Sequence, residues 1–232
     1  MAGIEWLELA RVGDGTRLLT GRQYITCHKV RINALPTRMR TTRGPRRGDR
    51  QCRAGCLDDE TANHVLQFCP RTHEVRMERH DSVLAYVNRN LRRQGYNIEE
   101  EPRIRTEEGI RKPDVIATMG QLGVVMDAQI VSQGSDLKRA RINKKEKYEN
   151  NPGINQYIRD TTEARHILHL PVILSWRGIW CKTSAEEFRR LDTLNRRDVA
   201  IITTRVLLGS WGAFKTFGRS SRRAQHRLVQ RA

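Results

Sequence analysis

The sequence predicts an α/β protein whose core runs helix, three-strand meander, helix, strand, helix, preceded by further helices and a small Cys/His knuckle. Three observations carry this reading. The stretch from Gly109 to Val131 is rich in β-formers on either side of a tight turn. Helical periodicity brackets it, upstream over 71–94 and downstream over 136–149. Three of the five cysteines fall within eighteen positions, beside a histidine at metal-ligand spacing.

Length and charge bound the function. At 232 residues the chain can bury a core, with one main domain and a smaller one the natural division. A net charge of +17 makes the surface attractive to polyanions, nucleic acid first among them. A merely soluble basic protein would carry the same charge, but here the basic residues also cluster. No apolar run approaches the ~20 residues of a membrane span, and the start of the chain lacks a signal-peptide apolar region. An odd cysteine count argues against a disulfide framework and for a reducing, intracellular setting, nucleus or cytoplasm.

The first unit, 1–48, is expected to be helical with a basic linker. Glu5 to Val12 forms a short amphipathic piece stopped by Gly13-Asp14-Gly15, and Arg17 to Leu35 a longer helix limited by Pro36. From Arg38 to Arg53 apolar residues give way to Arg38, Arg40, Arg43, Arg46, Arg47, Arg50 and Arg53 among Thr, Gly and Pro. Such a segment reads as a flexible linker able to touch phosphates, Arg43, Arg46 and Arg47 above all, or as a solvated loop.

The second unit, 49–72, is the knuckle: Cys52 and Cys56 as C-x3-C, then His64 and Cys69 as H-x4-C. Four such ligands close a tetrahedral Zn²⁺ site, with unrelated buried thiols as the plain alternative. Asp58 to Gln67 is expected to be a helix carrying His64, with Val65, Leu66 and Phe68 packed beneath the metal. His73 is a substitute ligand of second choice, while Cys27 and Cys181 read as small buried residues.

The main unit, 73–217, opens with a helix over Arg71 to Gln94, stopped by Gly95, whose Val75, Val83, Leu84, Val87 and Leu91 recur at helical spacing. The triplet Arg79-His80-Asp81 on it reads alone as a solvated face. Strands follow over Ile98 to Arg105, Gly109 to Thr118 and Val124 to Val131, with Met119 to Gly123 as the hairpin turn and Ser132 to Ser135 as a second turn. Asp136 to Glu149 is a basic helix on which Lys144, Lys147 and Tyr148 share a face. Pro152 to Arg165 holds another helix, and Ile167 to Trp180 a strand with Pro171 marking an edge or bulge. Thr183 to Glu186 reads as a capping box opening a helix, and Asp198 to Phe217 as an apolar helix. The basic tail, 218–232, contains no acid.

Asp114 and Asp127 are the chemically informative pair. A hairpin sets cross-strand neighbours ~5 Å apart, so two acids there can share one hard cation. A lone acid inside an apolar strand such as Asp127 is costly unless paired or metal-bound. Phosphodiester hydrolysis needs such a cation, Mg²⁺ or Mn²⁺, and a positive side chain near the developing charge, for which Lys144 or Lys147 is placed.

Pro113-Asp114, twelve intervening residues and Asp127-Ala128-Gln129 resemble the PD-(D/E)xK motif of restriction-like endonucleases. With the Cys-Cys-His-Cys cluster, Arg79-His80-Asp81, Lys144-x-x-Lys147-Tyr148, Ile32 to Arg38 and Trp176 to Trp180, the chain resembles the C-terminal region of site-specific non-LTR retrotransposons that insert into ribosomal RNA genes. The resemblance covers residues 20 to 215. It implies a restriction-like nuclease fold and a nuclear endonuclease that nicks double-stranded target DNA so that the 3′ end primes reverse transcription of the element's RNA. It implies Asp114 and Asp127 as Mg²⁺ ligands, the Ala128 carbonyl as a third, and Lys144, Lys147 and Tyr148 as catalytic companions. Arg79, His80, Arg111 and Lys112 are expected to meet nucleic acid at the site's edge. Two departures stand out: Gln129 sits where the motif has its lysine, and no polymerase aspartate pair is visible, so a reverse transcriptase is expected upstream in a longer protein.

A second class of function fits the same residues. The knuckle and basic arms would bind DNA or RNA while a nuclease-like scaffold does no chemistry, a reading that Gln129 motivates. A ribosomal or chromatin protein would explain the charge but not the acid pair.

Overall fold

The chain is described by a computed structural model over residues 19–42 and 50–229, with side chains to Ser221. The expected helix at Glu5 to Val12 and the linker arginines Arg43, Arg46 and Arg47 lie outside the described residues.

Helix α1, Gly21–Arg31, begins at a capping box in which the Thr20 side chain accepts from Gln23 N while Gln23 Oε1 accepts from Thr20 N. It ends at Arg31, and Asn33 just beyond takes a left-handed φ of 57°, three residues before Pro36 closes the segment's helical potential. The helix is therefore shorter at both ends than Arg17 to Leu35. The described ends of the linker, 38–42 and 50–53, are more structured than their composition suggests. The fully buried carboxylate of Glu60 accepts from Arg38 N, Arg53 N and Arg53 Nε, at 2.9, 3.1 and 2.7 Å. Arg53 thus turns its guanidinium to Glu60, while Arg38 Nη1 donates to Gln51 O at 3.1 Å.

Helix α2, His73–Arg93, crosses behind the sheet and ends at Gly95, whose φ of 92° only glycine adopts without strain. Strands β1 (Asn97–Glu100), β4 (Val115–Met119) and β5 (Leu122–Met126) form an antiparallel meander. Between β1 and β4 the chain inserts a separate hairpin, β2 (Ile104–Thr106) with β3 (Gly109–Arg111), so the two long strands expected there are each divided. The β4–β5 turn is the tight Gly120-Gln121, with Gly120 at φ 53°.

The expected strand from Val124 to Val131 breaks at Asp127, where β6 (Ala128–Val131) begins. Its partner breaks opposite. Strand β7 (His166–His169) runs parallel to β5, and β8 (Val172–Ser175) runs parallel to β6. Leu170 N bonds Val125 O at 2.9 Å and Val172 N bonds Asp127 O at 3.0 Å, so the ladder continues across the kink. Pro171, lying between these donors, has no N–H to contribute. The kink turns Asp127 to the edge of the layer while keeping it 5% exposed.

Alternation sorts the meander's side chains. Val115, Ala117, Val124 and Met126 join the core beneath α2, while Ile116 and Val125 pack with Tyr148, Ile154 and Ile158 of α3 (Leu137–Glu149) and α4 (Pro152–Thr161) on the other face. Helix α5, Lys182–Arg190, starts from Cys181 without a side-chain cap, so the expected Thr183 box does not form. Helix α6, Arg196–Val229, outruns the expected Phe217 end by twelve residues and enters the basic tail. Gly209 lets it approach α2 closely, for a Cβ there would stand 2.6 Å from Arg79 Cγ. The knuckle shares this packing: Cys52, Val65, Leu66 and Cys69 form one cluster with Trp176, Leu207 and Phe217.

Candidate active site and metal centre

Asp114 and Asp127 flank Val115–Met126, the last registered pair of the β4–β5 ladder, so the hairpin delivers both carboxylates to one end of the sheet. Oδ2 of Asp114 accepts from Ala128 N at 2.7 Å, tying the acid to the first residue of β6. Nε2 of His80 lies 3.3 Å from the same oxygen and 3.2 Å from the Ala128 carbonyl. The other ring nitrogen lies 3.2 Å from Asp81 Oδ1, so the triplet on α2 aims its histidine between two oxygens of the site.

These contacts set the charges. Bonding to Asp114 lifts His80 to about 9 against the opposing pull of burial, so it is an imidazolium at neutral pH. Burial pushes Asp114 upward, but the bonds from His80 and Ala128 N outweigh it and hold the carboxyl below its ordinary range. Lys144 Nζ stands 2.6 Å from Asp127 Oδ1, whereas Lys147 Nζ stands 3.9 Å from Oδ2 and donates to Tyr148 Oη at 2.8 Å. The Tyr148 hydroxyl donates to the Lys112 carbonyl at 3.1 Å, and burial foremost keeps it protonated. Two carboxylates and a carbonyl thus converge, each already facing a cationic group.

The knuckle forms a second centre. Ligand atoms of Cys52, Cys56, His64 and Cys69 all lie within 4.8 Å of one another. Sγ of Cys56 and Cys69 are 3.9 Å apart, near the ~3.8 Å that tetrahedral Zn–S bonds of ~2.3 Å impose. His64 Nδ1 pairs with Asp58 Oδ2 at 3.2 Å, while its buried Nε2 has no hydrogen-bond partner. An oriented imidazole with an orphaned inner nitrogen is what a metal-ligating histidine presents. Burial and the neighbouring sulfurs push the Cys69 thiol up to about 12, a cost that a bound cation removes. The cluster can bind zinc. His64 rides on a π-helical turn, His64–Phe68, rather than an Asp58–Gln67 helix, and His73 is not in the cluster. Val65 and Leu66 are buried as expected, but Phe68 is 58% exposed.

Arg79 is a correction. Expected to meet nucleic acid, it is 3% exposed, with its guanidinium donating to Ser210 Oγ at 2.9 Å, Leu66 O at 3.3 Å and Gln67 Oε1 at 2.6 Å. Gln67 Nε2 in turn donates to Ile130 O of β6 at 2.9 Å. Asn63 Oδ1 accepts from Gln133 N at 2.8 Å and Trp176 Nε1 at 3.1 Å. The two amides clamp the knuckle to the strand that follows Asp127, and neither carries a sequence signal. Arg111 is partly buried and Lys112 exposed, and they pair with Glu108 and Glu101, each at 2.6 Å.

No family model matches the chain. Comparison with curated proteins defines its class: it is homologous to retrovirus-related Pol polyproteins of retrotransposable elements. Those elements are R2, and the chain's homologues are the R2 non-LTR retrotransposon Pol polyproteins. It is 40% identical over 207 residues to that of the type-2 element R2DM of Drosophila melanogaster, covering 89% of this chain and 20% of the relative. With the R2 polyproteins of Nasonia vitripennis and Bradysia coprophila it shares 37% over 206 residues and 34% over 193, covering 88% and 83% of this chain. The chain spans about a fifth of the length of these curated relatives.

Proposed function

We propose that the chain is the endonuclease region of an R2-type polyprotein: a Mg²⁺-dependent DNA endonuclease of restriction-like fold whose zinc knuckle is built into it. The observation that supports this most is the placement of Asp114 and Asp127 at one end of the β4–β5 hairpin with the Lys144 ammonium against them. Asp114, Asp127 and the Ala128 carbonyl would hold the catalytic cation. When bound, Mg²⁺ or Mn²⁺ polarises the scissile phosphate and acidifies an attacking water. Lys144 takes the place of the lysine that Gln129 lacks, its charge aimed where negative charge develops. Tyr148 fixes Lys147 beside it. His80 holds Asp114 in register through the contact of its Nε2 with Oδ2.

In this reading the substrate is double-stranded target DNA, ribosomal DNA by kinship with R2, nicked in the nucleus to prime reverse transcription. The reverse transcriptase and the element RNA would belong to the longer protein and its complex.

The experiment is conversion of supercoiled plasmid to open circle with Mg²⁺ or Mn²⁺, comparing the native chain with Asp114→Ala and Asp127→Ala. Nicking by the native chain, lost in both folded variants, supports the nuclease. Intact DNA under conditions where a control nuclease cuts, with binding retained, supports the second reading, a nucleic-acid-binding zinc module on an idle scaffold. That reading draws on Gln129 and on the cationic groups already seated on both carboxylates.

A further inference from the structure

Beside the carboxylates lies a groove of about 660 Å³ between the knuckle's π-helical turn and α3. Phe68 lines it from the knuckle, Gln129 from β6, and Arg139, Asn143, Lys144 and Lys147 from α3. Phe68 also walls a hollow of about 460 Å³ on the knuckle side, so its ring stands as a ridge between two cavities. That ring is 58% exposed, although the cluster beneath it buries its neighbours Val65 and Leu66 completely.

The groove's size falls within the ~300–1,000 Å³ of pockets that take molecules of nucleotide scale. Its chemistry is divided in a way that unpaired nucleotides match. An exposed aromatic offers a stacking face, the Gln129 and Asn143 amides offer both a donor and an acceptor for base edges, and three cations border a phosphate path. Lys144 and Lys147 belong both to this groove and to the carboxylate site, so a strand lying in it arrives at the site backbone first.

We infer that this groove binds one or two unpaired nucleotides of the DNA strand flanking the scissile phosphate, stacked on Phe68 with their phosphates toward Arg139. The inference rests on the proposed nuclease reading for the identity of the strand. Its test, however, needs no cleavage.

The test is equilibrium binding, in buffer without Mg²⁺, Mn²⁺ or chelator so that the knuckle is left intact, of three DNA probes: a blunt duplex, the same duplex with a four-nucleotide tail, and the tailed duplex carrying 2-aminopurine in the tail. The native chain is compared with Phe68→Ala, Phe68→Trp and Arg139→Ala, each checked for folding by thermal melting. Stacking of a base on an aromatic ring predicts that the tail tightens binding at least about fivefold. Phe68→Ala abolishes that gain and leaves blunt-duplex affinity unchanged, whereas Phe68→Trp keeps it, and Arg139→Ala lowers it. Aminopurine fluorescence is quenched on binding to the native and Trp proteins only. Equal affinity for blunt and tailed DNA in the native chain, or aminopurine fluorescence unmoved on binding, overturns the inference. Should Phe68→Ala fail to fold, the Trp variant and the aminopurine signal decide the matter. A plasmid that stays intact with Mg²⁺ sinks the nuclease reading and leaves these binding results standing on their own.

Discussion

Lys144 reaches back 17 residues to set its ammonium 2.6 Å from Oδ1 of Asp127, while Lys147, one helical turn further on, stops 3.9 Å from the other oxygen. Asp127 is 5% exposed, so the nearer ammonium is what keeps its buried charge from standing alone. On the proposed nuclease reading, Lys144→Ala should lower plasmid nicking by roughly 10²-fold or more, the usual effect of deleting one electrostatic group aimed at a reacting centre. Lys147→Ala should cost less, since its side chain is 48% exposed and bound mainly to Tyr148. Single-turnover rates for the two variants decide it; a larger loss at Lys147 would reverse the assignment.

Zinc occupancy should govern more than the knuckle. Cys52 and Cys69 lie in one core with Trp176 and Phe217, and Gln67 ties the turn to β6 three residues past Asp127. Cys56→Ser, or chelation, should remove one Zn²⁺ per chain and lower the melting temperature on the order of 10 °C. Hydrogen exchange should rise from Arg50 to Arg71 and also along Ala128–Val131. Native mass spectrometry counts the metal; protection changes confined to the knuckle would mean that the clamp does not transmit.

Parts of this site are legible in the chain because the signals are local. Asp114 and Asp127 are single acids in apolar strands, and a period of three to four puts Lys144 and Lys147 on one face. Which lysine arrives first depends on how α3 docks, and no local pattern encodes that. The kink at Asp127 was hidden for the same reason: Val124 to Val131 reads as one β run, and its break answers to Pro171, forty-four positions away. Arg79-His80-Asp81 looks like an exposed triplet, yet α2 turns Arg79 inward and His80 toward Asp114. Cys52, Cys56, His64 and Cys69 needed less context, since their spacing marks them in the chain and the structure brings their ligand atoms within 4.8 Å of one another.

His169 should make the fold acid-sensitive. It is 5% exposed, with Nε2 3.2 Å from Asn155 Oδ1 and Nδ1 lacking a partner. Burial lowers its pKa to about 4, with Glu149 raising and Lys145 lowering it slightly. The unfolded chain takes up a proton near pH 6.5 that the folded chain refuses until about 4. Unfolding therefore binds a proton in that window, and stability falls as pH drops through it. Urea titrations at pH 7 and pH 5 should show the native chain losing on the order of 1 kcal/mol more than His169→Gln. Equal acid losses in the two proteins would remove His169 as the cause.

Arg79 should behave as a structural keystone rather than a nucleic-acid contact. Its guanidinium satisfies a hydroxyl on α6, a carbonyl and an amide of the knuckle, all without a carboxylate partner. Truncating it leaves those acceptors buried and unmet, so Arg79→Ala should cost about 2–4 kcal/mol of stability. Arg79→Lys should not restore the loss, because one ammonium cannot span the fork of acceptors. Gly209→Ala offers an independent check from the opposite helix: its added methyl would meet Arg79 Cγ at 2.6 Å and Cβ at 2.8 Å, forcing the side chain or the helix to shift. Both substitutions should therefore lower the melting temperature and expose Gln67 and Ile130 amides to exchange together. A variant at Arg79 that melts like the native chain, yet binds duplex DNA markedly more weakly, would return this residue to the surface role its neighbours in sequence suggest.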